Sequence, residues 1–227
     1  MRTILVVGGS KGIGKEVVKK LLPECKVISV SREASDLDHP NLTQVETDAV
    51  KGELPEIEQI DGLVYCPGTI NLKPFSRLSE GDFLTDFEIN VLGAVRVLQT
   101  YEKILKKSDH ASVVLFSTVA SDMGMTFHSS VAVSKSGVEG LAKSLAAEWA
   151  PKIRVNAIAP TITDTSLASK ILRNDAIREK MKERHPLKKI LDPTEVAELA
   201  VYLLSENAGS FTGQVFKMDA GMLSIKV

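Results

Sequence analysis

Cysteine is scarce in this chain, with only Cys25 and Cys66 among its 227 residues. Their spacing provides neither a disulfide framework nor a zinc site. Such sparse use of cysteine is typical of proteins from a reducing compartment. We therefore expect a cytoplasmic location and no bound metal.

A dominant charge of either sign is also lacking. The chain has 28 basic and 29 acidic residues, which leave a net charge of -1 at pH 7. This balance gives no electrostatic basis for binding nucleic acid or an anionic membrane. Residues 1–7 are far too few to span a bilayer and lead into a glycine loop without a cleavage-type segment. We therefore expect no targeting signal, no membrane contact, and a small molecule as the partner.

Short β-type apolar runs alternate with longer segments of helical period, which indicates βαβ units around a parallel sheet. Seven strands are predicted, at 3–7, 26–30, 42–46, 62–66, 112–116, 153–158 and 214–218. Helices are predicted over 15–22, 82–106, 138–149 and 193–204, the last with Asp192 as its N-cap and Pro193 in its first turn. The connections 31–41 and 49–60 are too short for full crossover helices. This regular spacing, without a linker, predicts one α/β domain over 1–227, a Rossmann-type doubly wound parallel sheet.

A glycine loop lies between the first predicted strand and the first predicted helix. Gly8, Gly12 and Gly14 provide the tight turn and the close backbone approach that a pyrophosphate needs, and the helix N-terminus attracts the anion. The alternative is a plain glycine turn. The strand before the loop and the helix after it favour a dinucleotide site.

The end of the second predicted strand indicates which dinucleotide is bound. A site that prefers NAD carries an acidic residue there for the ribose 2′-hydroxyl, but this chain has Ser31 and Arg32. Arg32 and Lys11 would neutralise a 2′-phosphate, and we expect no carboxylate to repel it, so NADP(H) is favoured over NAD(H). The alternative is two solvated surface cations. Asp48 is either a partner for the adenine amino group or a turn residue.

Several ordered motifs add to this pattern. They are Gly-Gly-Ser-Lys-Gly-Ile-Gly at 8–14, Asn90 in Ile-Asn-Val-Leu-Gly, and the segments 134–151, 153–160 and 211–222. With these motifs the sequence resembles, over essentially its whole length, the classical short-chain dehydrogenase/reductase family, and most of all its 3-oxoacyl-acyl-carrier-protein reductases. The resemblance implies a homodimer or homotetramer. It assigns the dinucleotide to Gly8, Ser10, Lys11, Gly12, Ile13, Gly14, Arg32, Asp48, Gly68, Asn90, Lys135, Pro160 and Thr165.

The resemblance also implies hydride transfer between the nicotinamide and a carbonyl or alcohol carbon. Lys135 and Asn90 match the family's lysine and asparagine, whereas Val131 stands at the position of its tyrosine and Thr118 at that of its serine. Valine carries no proton, while threonine keeps a hydroxyl. Three further departures surround the nicotinamide end: Val7 for threonine, 65–68 as Tyr-Cys-Pro-Gly for Asn-Asn-Ala-Gly, and 160–161 as Pro-Thr for Pro-Gly.

Loss of the phenol requires another proton donor if the chain is active. His128 lies seven residues before Lys135, an offset that resembles divergent enoyl reductases of the same superfamily, and imidazole titrates near neutrality. The alternative for His128 is an exposed loop residue. Tyr65 is a second candidate, although a tyrosine at a strand end is more often a packing residue. Lys135 acting through water is the third.

Segment 163–191 corresponds to the mobile substrate loop of the resembled family. Its apolar residues make it amphipathic, which is compatible with an apolar acyl or cyclic substrate or with a helical pair that covers the core. Three functions remain open. The chain is an NADP(H)-dependent oxidoreductase of 3-oxoacyl-reductase type, a silent NADP(H)-binding subunit or sensor, or an oligomerisation partner without cofactor. The intact glycines and Lys135 weigh against the third.

Overall fold

The computed structural model describes residues 1–226, so Val227 at the end of the predicted domain lies outside the described residues. One parallel sheet organises this part of the chain. Its strands are β1 Arg2–Val7, β2 Cys25–Ser31, β3 Leu42–Glu46, β4 Gly62–Tyr65, β5 Ala111–Phe116, β6 Ile153–Pro160 and β7 Val215–Met218. All seven strands match the sequence prediction within two residues. The predicted single α/β domain with a seven-stranded parallel sheet is therefore confirmed.

The order of the strands explains where a ligand should lie. The sheet runs β3-β2-β1-β4-β5-β6-β7, so the chain moves outward from β1 to β3 and then returns to the other side of β1. The connections therefore diverge where β1 and β4 end. In open α/β sheets, ligands bind in the crevice outside the carboxyl ends of the strands at such a point.

The described residues contain six α-helices, four of which pack on the two faces of the sheet. They are α1 Gly12–Leu21, α2 Glu80–Phe87, α3 Gly93–Leu105, α4 Ser129–Trp149, α5 Asp175–Glu183 and α6 Pro193–Leu204. Alternate residues of β1 point to opposite faces. Leu5 and Val7 pack in one core with α3 and α4, while Ile4 and Val6 pack in the other with α1 and α6.

Local sequence signals account for several helix boundaries. Asp192 caps α6 and forms a capping box with Glu195, while Pro193 occupies the first turn, as the sequence predicts. The predicted helix 82–106 begins slightly earlier, at Glu80. It is interrupted by a π-helical segment, Glu88–Leu92, between α2 and α3.

Some connections between the strands contain little or no helix. Segments 31–41 and 49–60 contain no helix, in agreement with their predicted shortness. Segment 163–191 contains the single helix α5 and a short 3-10 turn, Ser166–Ala168, so a helical pair is not formed there. Within residues 1–226, no helix combines the length and hydropathy needed to cross a membrane.

Candidate active site

A large cavity of about 1060 Å³ lies at the carboxyl edge of the sheet. The glycine loop after β1, the ends of β4, β5 and β6, the start of α4 and segment 163–191 form its walls. With the exceptions of Asn90, which lies behind the wall, and of the candidate Tyr65, every residue that the sequence assigns to the site lines this cavity. The predicted residues are thus brought together in one space.

The glycine loop has the geometry of an anion cradle. Gly8 and Gly12 adopt positive φ angles of 81° and 54°, and a Cβ on Gly14 would lie 2.2 Å from the Gly8 carbonyl oxygen. In the part of the chain that the structure describes, no side chain caps the N-terminus of α1, where Lys11 is the N-cap residue. The free N–H groups of that turn therefore face the cavity as anion donors.

Thr165 closes the glycine loop from the other side. A Cβ on Gly12 would lie 3.3 Å from the Thr165 side chain, so the segment after β6 packs directly against the loop. A side chain at position 12 would crowd Thr165, and the positive φ of Gly12 also disfavours one. The loop is therefore held close to the segment after β6.

The adenosine side of the cavity carries one carboxylate that the sequence reasoning overlooked. Glu33 lines the cavity beside Arg32, and its Oε2 lies 2.7 Å from the Lys11 Nζ. The Lys11 ammonium, through its hydrogen bond and its charge, holds the pKa of Glu33 below its usual range. The expectation of no carboxylate at this end is therefore wrong. The ion pair partly neutralises Lys11, which leaves Arg32 as the exposed cation.

Asp48 is a turn residue that also lines the cavity. Its Oδ1 accepts a hydrogen bond of 2.8 Å from the Val50 backbone N–H, which is the behaviour of a turn residue. It also lines the cavity at the end of β3. A position near an adenine ring is therefore compatible with its turn geometry.

Lys135 is the buried cation of the site. Its Nζ donates a hydrogen bond of 2.8 Å to the Phe116 carbonyl oxygen at the end of β5. Burial lowers the pKa of Lys135 to about 8, although the nearby Asp86 carboxylate partly opposes this effect. A Cβ on Gly68 would lie 3.2 Å from the Lys135 Nζ and 3.3 Å from the Asn90 Oδ1. Glycine at position 68 therefore allows both polar groups to approach the backbone closely.

Asn90 lies in the π-helical segment, and such segments frequently occur at functional sites. Its Nδ2 donates to the Asp86 carbonyl oxygen at 2.7 Å and to the Thr69 Oγ1 at 2.9 Å, with the Ser134 Oγ at 3.2 Å. Its Oδ1 has no hydrogen-bond partner among residues 1–226. The amide is therefore fixed in orientation, and its Oδ1 remains as a hydrogen-bond acceptor.

Asp86 is a buried carboxylate that the sequence analysis missed. It is 1% exposed, and its Oδ1 accepts a hydrogen bond of 2.6 Å from the Thr69 hydroxyl, which lines the cavity. Within the described chain, its Oδ2 and the buried Ser130 Oγ have no partner. Asp86 precedes Asn90 by one helical turn, and this spacing was the signal that could have revealed it.

Thr118, His128 and Val131 stand on one wall of the cavity with Lys135. The Thr118 Oγ1 accepts from the Ala120 N–H at 3.3 Å, so its own proton is free to be donated. The His128 Nδ1 lies 2.8 Å from the Thr126 carbonyl oxygen, which assigns the proton to Nδ1 in the neutral ring. Val131 is buried one turn before Lys135 on α4.

Tyr65 is excluded as a proton donor by its contacts. Its hydroxyl donates a hydrogen bond of 2.7 Å to the Ile89 carbonyl oxygen and packs against Gly93, on the helix side of the sheet. Burial raises the pKa of its phenol above the usual range, and it is not on the cavity wall in the described residues. Tyr65 is therefore a packing residue.

The sequence analysis also missed a contact between two residues on the cavity wall. Thr161, directly after β6, places its Oγ1 at 2.8 Å from the Nε2 of His185, and both side chains are buried. The Nδ1 of His185 lies 2.8 Å from the Met181 carbonyl oxygen. Nothing in the local sequence links positions 161 and 185, because the contact depends on how segment 163–191 folds back.

Lys135 should make the stability of the chain depend on pH above neutrality. Its pKa is about 8 in the folded chain, whereas an unfolded lysine titrates near about 10.4. The unfolded chain therefore binds more protons between these values, and the free energy of unfolding rises with pH there by up to about 3 kcal/mol. Urea unfolding of the wild type and Lys135→Met at about pH 7.5 and pH 10 measures this effect. From the lower to the higher pH, the free energy of unfolding of the wild type should increase relative to that of the variant. An unchanged difference would contradict the lowered pKa.

Comparisons with known proteins agree with this geometry. The family model described as enoyl-(acyl carrier protein) reductase matches residues 9–223. L-xylulose reductase of Homo sapiens is 30% identical over 97% of this chain and 96% of its own. Carbonyl reductase (NADPH) 2 of Sus scrofa is 28% identical over 97% and 96%. The crystal structure of a short chain dehydrogenase family protein from Francisella tularensis has a TM-score of 0.90 at 26% identity, covering 99% of this chain and 100% of that one.

Proposed function

Because the chain belongs to the classical short-chain dehydrogenase/reductase family, we propose that it is an oxidoreductase that transfers a hydride between NADP(H) and a carbonyl or alcohol substrate, with a proton donor other than tyrosine. One observation carries the proposal. A single cavity joins an uncapped helix N-terminus at the glycine loop to the buried Lys135.

The residues around the cavity suit NADP(H) along its whole length. The backbone of residues 8–14 would hold the pyrophosphate, Arg32 the 2′-phosphate, Asp48 the adenine and Lys135 the nicotinamide ribose. Ser10, Ile13, Pro160 and Thr165 complete this wall. When bound, the dinucleotide supplies or accepts the hydride. The name of the pig relative includes NADPH, which supports the choice of cofactor.

The chain's own residues then act on the oxygen of the substrate. Thr118 donates its hydroxyl proton in a hydrogen bond to the carbonyl oxygen and orients it. The Nε2 of His128, when the imidazole is protonated, gives its proton to the same oxygen as the carbonyl is reduced, which leaves neutral histidine. Lys135 binds the nicotinamide ribose, and Asn90, behind the cavity wall, positions Thr69 and Ser134 through its amide. Val131, at the position of the family's tyrosine, takes no part in proton transfer.

The substrate enters under segment 163–191 in this proposal. Leu167 and Ile171 from that segment line the cavity, which suits an apolar part of a substrate. A 3-oxoacyl thioester fits the sequence resemblance, whereas the names of the human and pig relatives refer to xylulose and to carbonyl compounds in general. A panel of β-ketoacyl thioesters, enoyl thioesters, ketones and hydroxyketones covers these classes.

The alternative is a silent NADP(H)-binding subunit, and valine at position 131 is the observation that favours it. Titration of the purified protein with NADPH, followed by the substrate panel with absorbance detection, separates the two functions. Oxidation of NADPH by any substrate supports the reductase. Tight binding without turnover supports the silent subunit, and absence of binding overturns both.

Arg32 is expected to decide between the two nicotinamide cofactors. Arg32→Ala should raise the Kd for NADPH by about tenfold or more and leave the Kd for NADH nearly unchanged, because a charge-assisted hydrogen bond contributes about 1.5–3 kcal/mol. Fluorescence titration measures both constants. Arg77→Ala, at an exposed position away from the cavity, is the matched control. Equal effects on NADPH and NADH would contradict a 2′-phosphate site at Arg32.

The assembly and location are part of the same proposal. Leu84 and Val133 on α2 and α4 are 69% and 60% exposed, which supports a homo-oligomer formed through the helices on this face. Both cysteines are free thiols, and burial raises the pKa of the Cys66 thiol to about 12. Such unreactive thiols suit the reducing environment of the cytoplasm.

A further inference from the structure

The Thr161 and His185 pair is a buried polar contact that the proposed reaction does not use. His185 is 1% exposed and Thr161 is 7% exposed, yet both line the cavity. The backbone groups of Thr161 are already engaged, because its N–H donates to the Met218 carbonyl oxygen and its own carbonyl accepts from the Thr163 hydroxyl. Its side-chain hydroxyl is therefore the group available to a substrate.

The direction of each hydrogen bond in this pair follows from its partners. A carbonyl oxygen only accepts, so the Nδ1 of His185 must donate its proton to the Met181 carbonyl. In neutral imidazole the Nε2 then has only a lone pair, and the Thr161 hydroxyl must donate to it. The proton of Thr161 is therefore occupied, and its oxygen is left as a hydrogen-bond acceptor.

Thr118 presents the opposite hydrogen-bonding role. Its oxygen accepts from the Ala120 N–H, and its proton remains free to be donated. Thr118 follows β5 and Thr161 follows β6, and these parallel neighbours lie side by side, with Phe116 opposite Ile158. Adjacent strands are about 4.8 Å apart. A donor hydroxyl and an acceptor hydroxyl thus emerge from neighbouring strand ends at the same edge of the cavity.

We propose that Thr161, with its polarity set by His185, accepts a hydrogen bond from a hydroxyl on the carbon next to the reacting carbonyl. The preferred substrates are then α-hydroxycarbonyl compounds, or vicinal diols in the oxidation direction. Thr118 donates to the carbonyl oxygen while Thr161 accepts from the neighbouring hydroxyl. This inference rests on the proposed reductase activity and adds the class of substrate to it.

Two isosteric ketones test the inference. Hydroxyacetone and butanone differ by a hydroxyl in place of a methyl group, and NADPH oxidation gives kcat/KM for each. The wild type should prefer hydroxyacetone by about tenfold or more, because a substrate lacking the expected hydroxyl leaves the buried acceptor unpaired. Thr161→Val, which keeps the shape of the side chain, should remove most of that preference. Thr161→Ser should retain it.

His185 provides an independent variant of the same test. His185→Phe removes the acceptor of the Thr161 proton, so the hydroxyl becomes free to donate. The preference should then move from hydroxyacetone towards butanedione, whose second oxygen only accepts. Thr100→Val, an exposed threonine on α3, is the control. Thermal melting and NADPH titration verify that each variant is folded. If His185→Phe does not fold, Thr161→Val and Thr161→Ser test the inference by themselves.

The outcomes separate the two proposals. If the wild type reduces neither ketone nor any other carbonyl compound, the reductase and the substrate class are both overturned. If the wild type reduces carbonyl compounds but Thr161→Val keeps the wild-type preference for hydroxyacetone, only the substrate class is overturned. The same holds if Thr161→Ser loses that preference as fully as Thr161→Val does. A preference that falls in Thr161→Val and is kept in Thr161→Ser supports it.

Discussion

His128→Ala is expected to lower kcat for carbonyl reduction by about 10²- to 10⁴-fold, the usual contribution of a general acid. The Kd for NADPH should change by less than about twofold, because His128 lies on the cavity wall at the start of α4, away from the glycine loop. Stopped-flow reduction measures the rate, and fluorescence titration measures the binding.

The contacts of the two imidazole nitrogens explain this expectation. The Nδ1 of His128 is held by the Thr126 carbonyl oxygen, which orients the ring and leaves the Nε2 to exchange a proton. Tyr65 does not compete for this role, since its hydroxyl is bound to the Ile89 carbonyl. Lys135 also lines the cavity, but its Nζ is buried and donates to the Phe116 carbonyl oxygen. His128 is therefore the candidate that we place as the proton donor.

His110→Ala is the matched control, because His110 lies at an exposed position before β5. His110→Ala should keep the wild-type rate. If His128→Ala also keeps the wild-type rate, His128 is not the donor. The buried Asp86, which reaches the cavity through the Thr69 hydroxyl, would then be the next group to replace.

The sheet was predictable because its signals are local. Most strands are short apolar runs bounded by turn residues, and β3, Leu-Thr-Gln-Val-Glu, alternates apolar with polar residues, so period and length place β1 to β7. The N-cap of α6 at Asp192 was also predictable, because Asp192 followed by Pro193 and Glu195 is typical of the start of a helix. The π-helical segment around Asn90 was not predictable, because apolar residues four apart, such as Phe87 and Val91, are equally expected in an α-helix.

The site residues were predictable only where they belong to a sequence motif. The glycine loop, Lys135 and Thr118 lie at positions that a matched pattern defines, and the fold brings them to one cavity. Contacts between distant segments were not accessible. The Thr161 hydroxyl meets His185 across 24 residues, and Glu33 meets Lys11 across 22. Such pairs depend on the path of loops, for which hydrophobic period gives no information.

If the chain is the silent subunit, Val131→Tyr is expected to raise kcat for carbonyl reduction by about 10²-fold or more, the usual contribution of a general acid. Val131 lies four residues before Lys135 on α4, so both side chains are on the same face of the helix, and it lines the cavity. A phenol there would extend into the cavity, and the Lys135 ammonium would lower its pKa. The new hydroxyl would then give its proton to the carbonyl oxygen that Thr118 orients.

The double variant His128→Ala with Val131→Tyr sharpens this test, because the phenol should restore much of the turnover that the first change removes. Val133→Tyr is the matched control, since Val133 is on the same helix but 60% exposed. Steady-state NADPH oxidation compares the variants, with NADPH titration to verify binding. If Val131→Tyr binds NADPH but gains no activity, the missing phenol is not what limits the reaction. The altered residues at the nicotinamide end, Pro67 and Thr161, would then hold the substrate in a geometry that a phenol at position 131 does not reach.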